Sequence, residues 1–351
     1  MKVGIYELKD PNGRDLAVQK AYEQILAHNR IPCVRLRIEQ SDFWNQIRSL
    51  SLFIMRCSQH DSNMQQSRDI LPVVEKDYGI PCYPNQSTVW HYDDKVKQYF
   101  LLKSYGFPIT DSWIFYEKNA ALEWSAMAEY PVVFKLRGGA GSMNVILVKT
   151  HRQAAGLIRR IFGRGMYPEK ILSTSSIRLK HFNLYKELHH IGGNFYRWSK
   201  GFDTSPFWQV HKNYALFQKF LPCNDCDTRV TVIGQRAFAF RRMVRDNDFR
   251  ASGSGHIDYD VTKIDPRCLQ IAFQVSKQMG FLSMAYDFLI NENQEPEFCE
   301  ISYTYVSRAV RNCPGYWDTE LNWHEGHFWP EHLHLIDALG LPDLIAPELD
   351  Y

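Results

Sequence analysis

Short apolar runs alternate with segments of helical periodicity over the first 85 residues. Strands are predicted over residues 2–6, 31–38, 50–55 and 80–84, and a helix over residues 15–28. Strands that alternate with helices typically build a parallel sheet in an open α/β unit. No Gly-x-Gly-x-x-Gly follows the first strand, so this unit lacks the dinucleotide-binding fingerprint.

The pattern becomes mixed after residue 93. Helices are predicted over residues 93–107, 120–128, 151–162 and 266–279, and strands over 113–116, 131–136, 144–148, 217–221, 229–233 and 237–242. A hairpin over residues 283–302 is predicted as the last regular element. We therefore expect an α/β unit over residues 1–88, followed by two α+β halves over residues 89–215 and 216–351.

Composition removes several functional classes. The 351 residues carry 41 Lys and Arg against 39 Asp and Glu, a net charge of +2, so no nucleic-acid partner is expected. No apolar run has the length of a membrane span, and the start does not resemble a signal peptide, so we expect a cytoplasmic protein. The eight cysteines are expected to be free thiols.

Two Cys- and His-containing segments could carry metal or redox chemistry. Cys223 and Cys226 form a single CxxC without a second pair at matching spacing, so a zinc or redox role is the weaker reading. Residues 313–334 concentrate three Trp and four His, but their spacing matches no standard ligand set. Packing is the favoured interpretation of this second segment.

A Gly-rich segment between two predicted strands could bind phosphate. Successive glycines let backbone N–H groups approach a phosphate, although a plain hairpin is the commoner explanation of such a turn. Lys135 strengthens the hypothesis that this segment binds phosphate. It lies in the apolar strand that leads into residues 137–142, and it should have an anionic partner.

Two acidic residues are predicted to face each other across the hairpin over residues 283–302. If Asn293 and Gln294 form its two-residue turn, Asp287 lies opposite Glu300, with Ser302 on the same face. Facing carboxylates repel unless a cation lies between them, and a divalent cation with oxygen ligands meets this need. A surface hairpin with solvated acids is the alternative.

A cluster of arginines follows a hinge-like segment over residues 217–222. A solvated basic face is the ordinary interpretation of such a cluster, but Arg also suits bidentate recognition of phosphate or carboxylate. The cluster consists of Arg229, Arg241, Arg242, Arg245 and Arg250.

Taken in order, these segments resemble the ATP-grasp superfamily over nearly the whole chain. The resemblance is strongest to the group that contains the ribosomal-protein glutamate ligase and related carboxylate–amine ligases. It implies an ATP-grasp fold with an N-terminal open α/β (pre-ATP-grasp) domain, ATP and Mg²⁺ as cofactors with Mn²⁺ as an alternative, and small-molecule or sugar-linked carboxylate and amine substrates. A homodimer is an open alternative for its assembly.

The resemblance also implies roles for individual residues. Asp287, Glu300 and Ser302 are expected to bind metal, and Arg242, Arg229 and Arg250 to act in catalysis near the transferred phosphate. The residues expected to bind the nucleotide are Lys95, Lys135, Gly138, Gly139, Gly141, Ser142, Gln218, Lys219, Leu221 and Asp227.

Three departures from the family pattern stand out. Ser302 replaces the usual Asn, and Gln218 stands where relatives often have Glu. About eighty residues separate the Gly-rich loop from the hinge, and residues 177–212 among them are basic. This insertion is either a solvated excursion or a surface for an anionic substrate or partner.

The expected reaction is ATP-dependent ligation of a carboxylate to an amine through an acylphosphate. Likeness of residues 300–318 to ATP-grasp proteins of surface-polysaccharide clusters suggests that an amino acid is joined to a sugar. Two alternatives are an ATP-grasp phosphotransferase and a nucleotide-binding interaction protein without turnover.

Overall fold

The N-terminal part of the computed structural model is a parallel sheet with helices on both faces. The model describes residues 1–9, 16–139, 145–166, 199, 209–244 and 255–349. The first sheet has the order β2-β1-β3-β4, with all pairs parallel, as predicted. Its strands are β1 (Val3–Tyr6), β2 (Cys33–Leu36), β3 (Leu52–Ile54) and β4 (Cys82–Tyr83).

The helices of this part are amphipathic and short. They are α1 (Ala17–His28), α2 (Phe43–Arg48), α3 (Asp61–Pro72), which continues as a π-helical turn over Val73–Asp77, and α4 (Gln86–Trp90). Val3 and Ile5 share one buried cluster with Tyr22 and Ile25 of α1. Leu335, near the end of the chain, belongs to the same cluster, so the C-terminal helix completes the N-terminal core.

The second sheet is antiparallel and has the order β5-β8-β6-β7. Its elements are α5 (Lys95–Ser104), β5 (Ser112–Phe115), α6 (Lys118–Met127), β6 (Val132–Lys135), β7 (Val145–Val148), α7 (His151–Phe162) and β8 (Ala215–Lys219). Side chains alternate along each strand: Phe134 and Phe217 enter the core with α6 and α7. Lys135 and Gln218 therefore line the opposite face.

The third sheet has seven strands, in the order β13-β12-β9-β10-β14-β15, with β11 beside β10. Its strands are β9 (Cys226–Ile233), β10 (Arg236–Met243), β11 (Ile257–Asp258), β12 (Ser283–Ile290), β13 (Pro296–Ser302), β14 (Gly315–Trp317) and β15 (Trp323–Glu325). Helix α8 (Pro266–Met279) packs on one face. Its bounds match the prediction, because Asp265 caps its start and Gly280, with φ +66°, ends it.

The hairpin of β12 and β13 is not the last regular element, so that prediction is wrong. It is followed by α9 (Ser307–Arg311), the pair β14 and β15, and α10 (Pro330–Leu339). These elements pack through Val310, Cys313 and Leu333 against Phe238 and Phe240 of the third sheet. They cover the sheet face opposite α8.

A narrow cleft separates the second sheet from the hairpin of β12 and β13. Its cavity measures only about 10 Å³, room for roughly one water. It is lined by Lys95, Gln98, Tyr99, Ile109, Ser112, Lys135, Leu216, Gln218, Cys299 and Glu300. The two sheets are thus in close contact here.

Candidate functional site

A band of charged side chains crosses four neighbouring strands of the third sheet. Arg242 pairs with Asp227 across β10 and β9, and Arg229 pairs with Asp287 across β9 and β12. Glu300 then lies opposite Asp287 on β13. Because directly opposed residues share a face, these five side chains lie on one side of the sheet. We call them the charged row.

Asp287 is the centre of the charged row. Arg229 donates to it from Nε to Oδ1 and from Nη2 to Oδ2, both at 2.7 Å, and Arg242 Nη2 donates to Oδ2 at 2.7 Å. Although burial acts to raise the pKa of Asp287, the charges of Arg229 and Arg242 hold that pKa well below its usual range. Asp287 is therefore an ionised carboxylate bound by two guanidinium groups.

Among the described residues, Asp227 is bound by Arg242 alone. Arg242 donates from Nε to Oδ1 at 2.7 Å and from Nη2 to Oδ2 at 2.6 Å, a bidentate pair with both partners buried. Arg242 thereby links two carboxylates on neighbouring strands. Bidentate geometry fixes a guanidinium in its plane, so Arg242 is rigidly oriented.

The cross-strand pair of Asp287 and Glu300 agrees with the predicted facing, but the predicted turn is wrong. The hairpin tip spans residues 291–295 rather than two residues, and Ile290 pairs with Pro296. A bulge at Cys299 then shifts the register by one, which restores the pair of Asp287 with Glu300. Cys299 and Glu300 consequently both line the cleft.

Lys95 joins the charged row from the N-terminus of α5. Its Nζ lies 3.1 Å from Glu300 Oε1 and donates to the carbonyl oxygen of Gly139 at 3.0 Å. Burial acts to lower the pKa of Lys95, but the carboxylates of Glu300 and Asp93 raise it. A charged ammonium thus connects the predicted metal ligand to the start of the Gly-rich loop.

Lys135 differs from the other cations of the cleft because it has no ionic partner among the described residues. It is only 9% exposed, and burial lowers the pKa of its ammonium. Cys299, Glu300 and Lys95 lie near enough to affect it electrostatically. A buried ammonium without a counter-ion is a strong candidate for binding an anion.

Asp93 anchors the start of the Gly-rich loop through hydrogen bonds, a role that the sequence did not predict. Both of its carboxylate oxygens accept from the backbone N–H of Gly139, at 2.9 and 3.0 Å. A Cβ at Gly138 would lie 3.0 Å from Asp93 Oδ2. The only available signal was the pair of adjacent acids, Asp93 and Asp94, of which Asp94 caps α5. Asp93 itself adopts φ +47°.

The hinge-like segment over residues 217–222 lies at the end of β8. This strand spans Ala215–Lys219, so it begins and ends two residues before the predicted strand over residues 217–221. Gln218 Nε2 is 3.4 Å from Ser112 Oγ, and the Lys219 backbone N–H donates to the backbone carbonyl oxygen of Asp111 at 2.8 Å. Leu221 is buried just beyond the strand. Asn224 connects this hinge to β12, because its side chain bonds both backbone groups of Ile290.

The predicted metal ligands supply oxygen atoms, the type of donor that Mg²⁺ prefers. In this structure Arg229 and Arg242 neutralise Asp287, and Lys95 neutralises Glu300. The Ser302 hydroxyl donates to the carbonyl oxygen of Thr304 at 2.9 Å. Within the described residues, no group of three or more His, Cys, Asp or Glu side chains is arranged to hold a metal. A divalent ion fits this donor set if it displaces the basic side chains.

Several predicted site residues fall outside the described residues. These are Gly141 and Ser142 of the Gly-rich loop, Arg245 and Arg250 of the arginine cluster, and nearly all of the insertion over residues 177–212. Arg241, the remaining member of that cluster, pairs with Asp258 at 2.5 Å instead of joining the charged row.

The environments of the Cys-x-x-Cys pair and of the His-rich segment favour structural roles over metal or redox chemistry. All eight cysteines are free, and burial raises the pKa of Cys226 to about 11, which disfavours a reactive thiol. His334 is buried between the hydroxyl groups of Tyr22 and Tyr305, at 2.9 and 2.7 Å. Packing, the favoured interpretation of residues 313–334, agrees with this environment. No helix among the described residues is long and apolar enough to cross a membrane.

Comparison with known proteins identifies the fold. Residues 206–310 match the model of the RimK-like ATP-grasp domain. No curated protein matches the sequence. Among solved structures, a RimK domain ATP-grasp protein from Sphaerobacter thermophilus DSM 20745 is 14% identical, with 89% of this chain and 95% of that chain covered and a TM-score of 0.52.

Two further structures support the same fold. D-alanyl-alanine synthetase A from Vibrio cholerae O1 biovar eltor str. N16961 is 11% identical, with coverage of 97% and 98% and a TM-score of 0.59. The ATP-grasp ligase PsnB, complexed with minimal precursor, Mg and ADP, is 13% identical, with coverage of 89% and 92% and a TM-score of 0.51. The chain therefore has the ATP-grasp fold, with a RimK-like ATP-grasp domain over residues 206–310.

Proposed function

We propose that this protein is an ATP-dependent ligase that joins a carboxylate to an amine through an acylphosphate. The observation that carries the proposal is that Lys95, Lys135 and Glu300 line one cleft, and that Glu300 lies opposite Asp287, which Arg229 and Arg242 bind. Cations and facing carboxylates suit a bound triphosphate and its divalent ion. The solved structures of the same fold include ligases.

Nucleotide binding would require the cleft to open and its ion pairs to exchange partners. The cavity of about 10 Å³ is far below the size of an adenine nucleotide site. Lys95 would leave Glu300 for a phosphate oxygen, and Lys135 would gain its missing counter-ion. Gly138, Gly139, Gly141 and Ser142 would cover the phosphates, while Gln218, Lys219, Leu221 and Asp227 would surround the adenosine.

The charged row would then serve the transfer of the γ-phosphoryl group. Asp287 and Glu300, with Ser302 directly or through water, would hold Mg²⁺, or Mn²⁺ as an alternative, and such an ion neutralises charge that develops on the phosphates. Arg242 is already oriented by its bidentate bond to Asp227, and would stabilise the transferring phosphoryl group. Arg229 would keep Asp287 ionised, and Arg250 stays a proposed third arginine of this site.

The reaction needs no nucleophilic side chain from the protein. A substrate carboxylate oxygen attacks the γ-phosphorus, and ADP leaves as the bond to the β-phosphate oxygen breaks. The amine then attacks the acyl carbon, phosphate leaves with the former carboxylate oxygen, and the amine loses a proton. The protein positions these groups and stabilises their charge, which is the usual source of catalysis in phosphoryl transfer.

We further propose that the substrates are an amino acid and a sugar acid or sugar amine, and that the enzyme acts in surface-polysaccharide synthesis in the cytoplasm. The likeness of residues 300–318 to proteins of such gene clusters supports this assignment. The basic insertion over residues 177–212 would supply a surface for an anionic substrate.

A screen for ADP release tests the proposed activity. Purified protein with Mg·ATP should release ADP only when a carboxylate and an amine are both present, in a panel of amino acids, sugar acids and amines. Phosphate found on a single acceptor would identify a phosphotransferase instead. Binding of Mg·ATP without ADP release for any pair would favour an interaction protein without turnover.

A further inference from the structure

The N-terminal sheet has a topological switch point between β1 and β3. Its order is β2-β1-β3-β4, so the chain leaves β1 toward one side for β2 and crosses to the other side for β3. In open parallel α/β sheets, ligands bind outside the carboxyl ends of the strands at such a point. The loop over residues 55–60, which joins β3 to α3, lies at this edge. The proposed nucleotide and metal contacts use none of its residues.

This loop is bonded to the segment that follows the predicted metal ligand Ser302. Arg56 Nη2 donates to the carbonyl oxygen of Tyr305 at 3.2 Å, and its guanidinium carbon lies 5.9 Å from the centroid of the Tyr305 ring. The Tyr303 hydroxyl donates to the carbonyl oxygen of Cys57 at 3.1 Å. Tyr305 lies three residues after Ser302, a span of at most about 11 Å. Arg56 is therefore near the site of the proposed ligation.

Arg56 has unused hydrogen-bonding capacity. Within the described part of the chain, the carbonyl oxygen of Tyr305 is the one acceptor for its N–H groups. Its Nε is enclosed by protein and has no hydrogen-bond partner. The side chain as a whole is only partly buried, so solvent reaches part of it. A guanidinium in this state can bind a carboxylate through two parallel hydrogen bonds.

The charge of Arg56 is offset only from a distance. Burial acts to lower the pKa of Arg56, but the side chains of Tyr22 and Glu331 raise it, so the guanidinium remains charged. Glu331 does not bond to Arg56, because its Oε1 accepts from Ser307 Oγ at 2.5 Å and its Oε2 has no hydrogen-bond partner. Glu331 therefore helps to keep Arg56 charged without occupying its N–H donors.

A second unbonded donor lies at the same edge of the sheet. Tyr83 ends β4, the strand next to β3, and pairs with Ile54. Its hydroxyl is buried without a hydrogen-bond partner, while the Ser283 hydroxyl pairs instead with Tyr305 at 2.7 Å. Burial raises the pKa of Tyr83 well above its usual range, so the hydroxyl keeps its proton, and Arg56 lies near enough to affect that pKa. Two donors on neighbouring strands thus lack an acceptor, which a carboxylate would supply.

From this arrangement we propose that Arg56 and Tyr83 bind the carboxylate of an amino acid that serves as the amine substrate. The carboxylate that is activated must lie at the γ-phosphate beside the charged row, so Arg56 binds a second one. An α-amino acid carries its carboxylate one carbon atom from the reacting nitrogen, which suits the short span from Ser302 to Tyr305. The sugar then supplies the activated carboxylate. The role of the amine rests on the proposed ligase function, whereas the carboxylate site does not.

Binding measured without turnover tests the site. Calorimetric titrations of the purified protein, with and without Mg·ADP, use the common L-amino acids as a panel of probes. We expect at least one of them to bind saturably, and the corresponding amino acid amide, which lacks the carboxylate, to bind about tenfold more weakly or worse. In the ADP-release assay this amide should still react, with a KM raised by a similar factor, because it keeps the amine. An amino acid that supplied the activated carboxylate would lose all reactivity as its amide.

Variants locate the binding. Arg56→Gln should weaken binding of that amino acid about tenfold or more, and Arg56→Lys, which keeps the charge but loses the planar fork, should have an intermediate effect. Tyr83→Phe removes only a hydroxyl that has no partner, so it should weaken binding without lowering the free energy of unfolding. Arg48→Gln is the control, since Arg48 is exposed on α2 and bonds Asn45 and Tyr78.

Failure of this proposal is distinguishable from failure of the proposed ligase function. Binding that depends on Arg56, without ADP release for any pair of substrates, would remove the amine role and leave the carboxylate site. ADP release that is equally efficient with amino acid and amide, in wild type and in Arg56→Gln, would remove the site and leave the ligase. No binding of any amino acid by wild type, or equal affinity for wild type, Arg56→Gln and Tyr83→Phe, would overturn the proposal.

Discussion

The ammonium of Lys95 lies 3.1 Å from Glu300 Oε1 and bridges to the carbonyl oxygen of Gly139. This ion pair connects the second sheet to the hairpin of the third, across the cleft. It neutralises Glu300 where the proposed function needs a metal ion. Ligand binding in this cleft is therefore expected to be an exchange of ion pairs rather than the filling of an open pocket.

Replacing Lys95 should abolish turnover. Lys95→Met removes the proposed phosphate contact while it keeps the length of the side chain, and a loss of about 100-fold or more in kcat is expected. Lys97→Met is a matched control on the same helix, because Lys97 donates instead to the carbonyl oxygen of Trp90. Steady-state ADP release measures both. Equal losses for the two variants would indicate damage to α5 rather than loss of a phosphate contact.

Glu300→Gln should also abolish turnover, because it removes one charge from the proposed metal site with little change in shape. Glu297→Gln, on the same strand, is the control, since Glu297 bonds Asn291 at 2.8 Å and lies outside the charged row. Ser302→Ala should cost far less, and Ser302→Asn should be tolerated or beneficial. Turnover of Glu300→Gln within a few-fold of wild type would contradict the assignment of this residue to the metal.

Asp93 should give the protein a pH-dependent stability. Burial raises the pKa of Asp93 from 3.8 to about 6, so the folded state holds a proton that the unfolded state has already lost between these values. The contribution of Asp93 to stability is therefore present at low pH and is lost as the pH rises from about 4 to about 6.

Urea denaturation from pH 4 to pH 7 measures this effect. Relative to Asp93→Asn, the wild type should lose on the order of 3 kcal/mol of unfolding free energy across the window. The exposed Asp69→Asn variant should keep the wild-type profile. A pH profile of Asp93→Asn that is parallel to that of wild type would show that Asp93 ionises normally.

Arg242 should matter for folding as well as for catalysis. Arg242→Met leaves Asp227 without its bidentate partner and removes one of the two arginines from Asp287, so a loss of about 3–5 kcal/mol in unfolding free energy is expected. Arg241→Met, one residue earlier, breaks a surface pair with Asp258 and should therefore destabilise the fold far less than Arg242→Met.

A second substitution tests the origin of that loss. Adding Asp227→Asn to Arg242→Met removes the stranded charge and should recover part of the stability. Denaturation midpoints of the single and double variants give the coupling. Strict additivity of the two substitutions would mean that Asp227 and Arg242 do not stabilise each other.

Periodicity predicted those parts of the fold that depend on local sequence. Helix α8 was predicted at its observed bounds, because its cap residue, its first proline and the glycine that ends it are all readable signals. The helices and strands after residue 302 were not predicted. β14 and β15 are three residues each and gain their order by adding to the edge of a sheet, which no local pattern of the sequence reveals.

At the site, too, local sequence patterns did not predict how the charged row is assembled. Facing of Asp287 and Glu300 was predicted from a two-residue turn, but the longer tip and the bulge at Cys299 produce it instead. The partners of Asp287 are Arg229 and Arg242, which come from strands more than 40 residues earlier in the sequence. Sequence reasoning assigned these residues separate roles, because pairing between distant strands is set by the tertiary fold.

The fate of a carboxylate oxygen tests the central claim most directly. A substrate pair found in the screen for ADP release would be supplied with ¹⁸O in both carboxylate oxygens, and the released phosphate analysed by mass spectrometry. Ligation through an acylphosphate predicts one ¹⁸O atom in each phosphate, with one phosphate formed per amide. Phosphate without label, or label retained on a phosphorylated product, would contradict the proposed ligase mechanism.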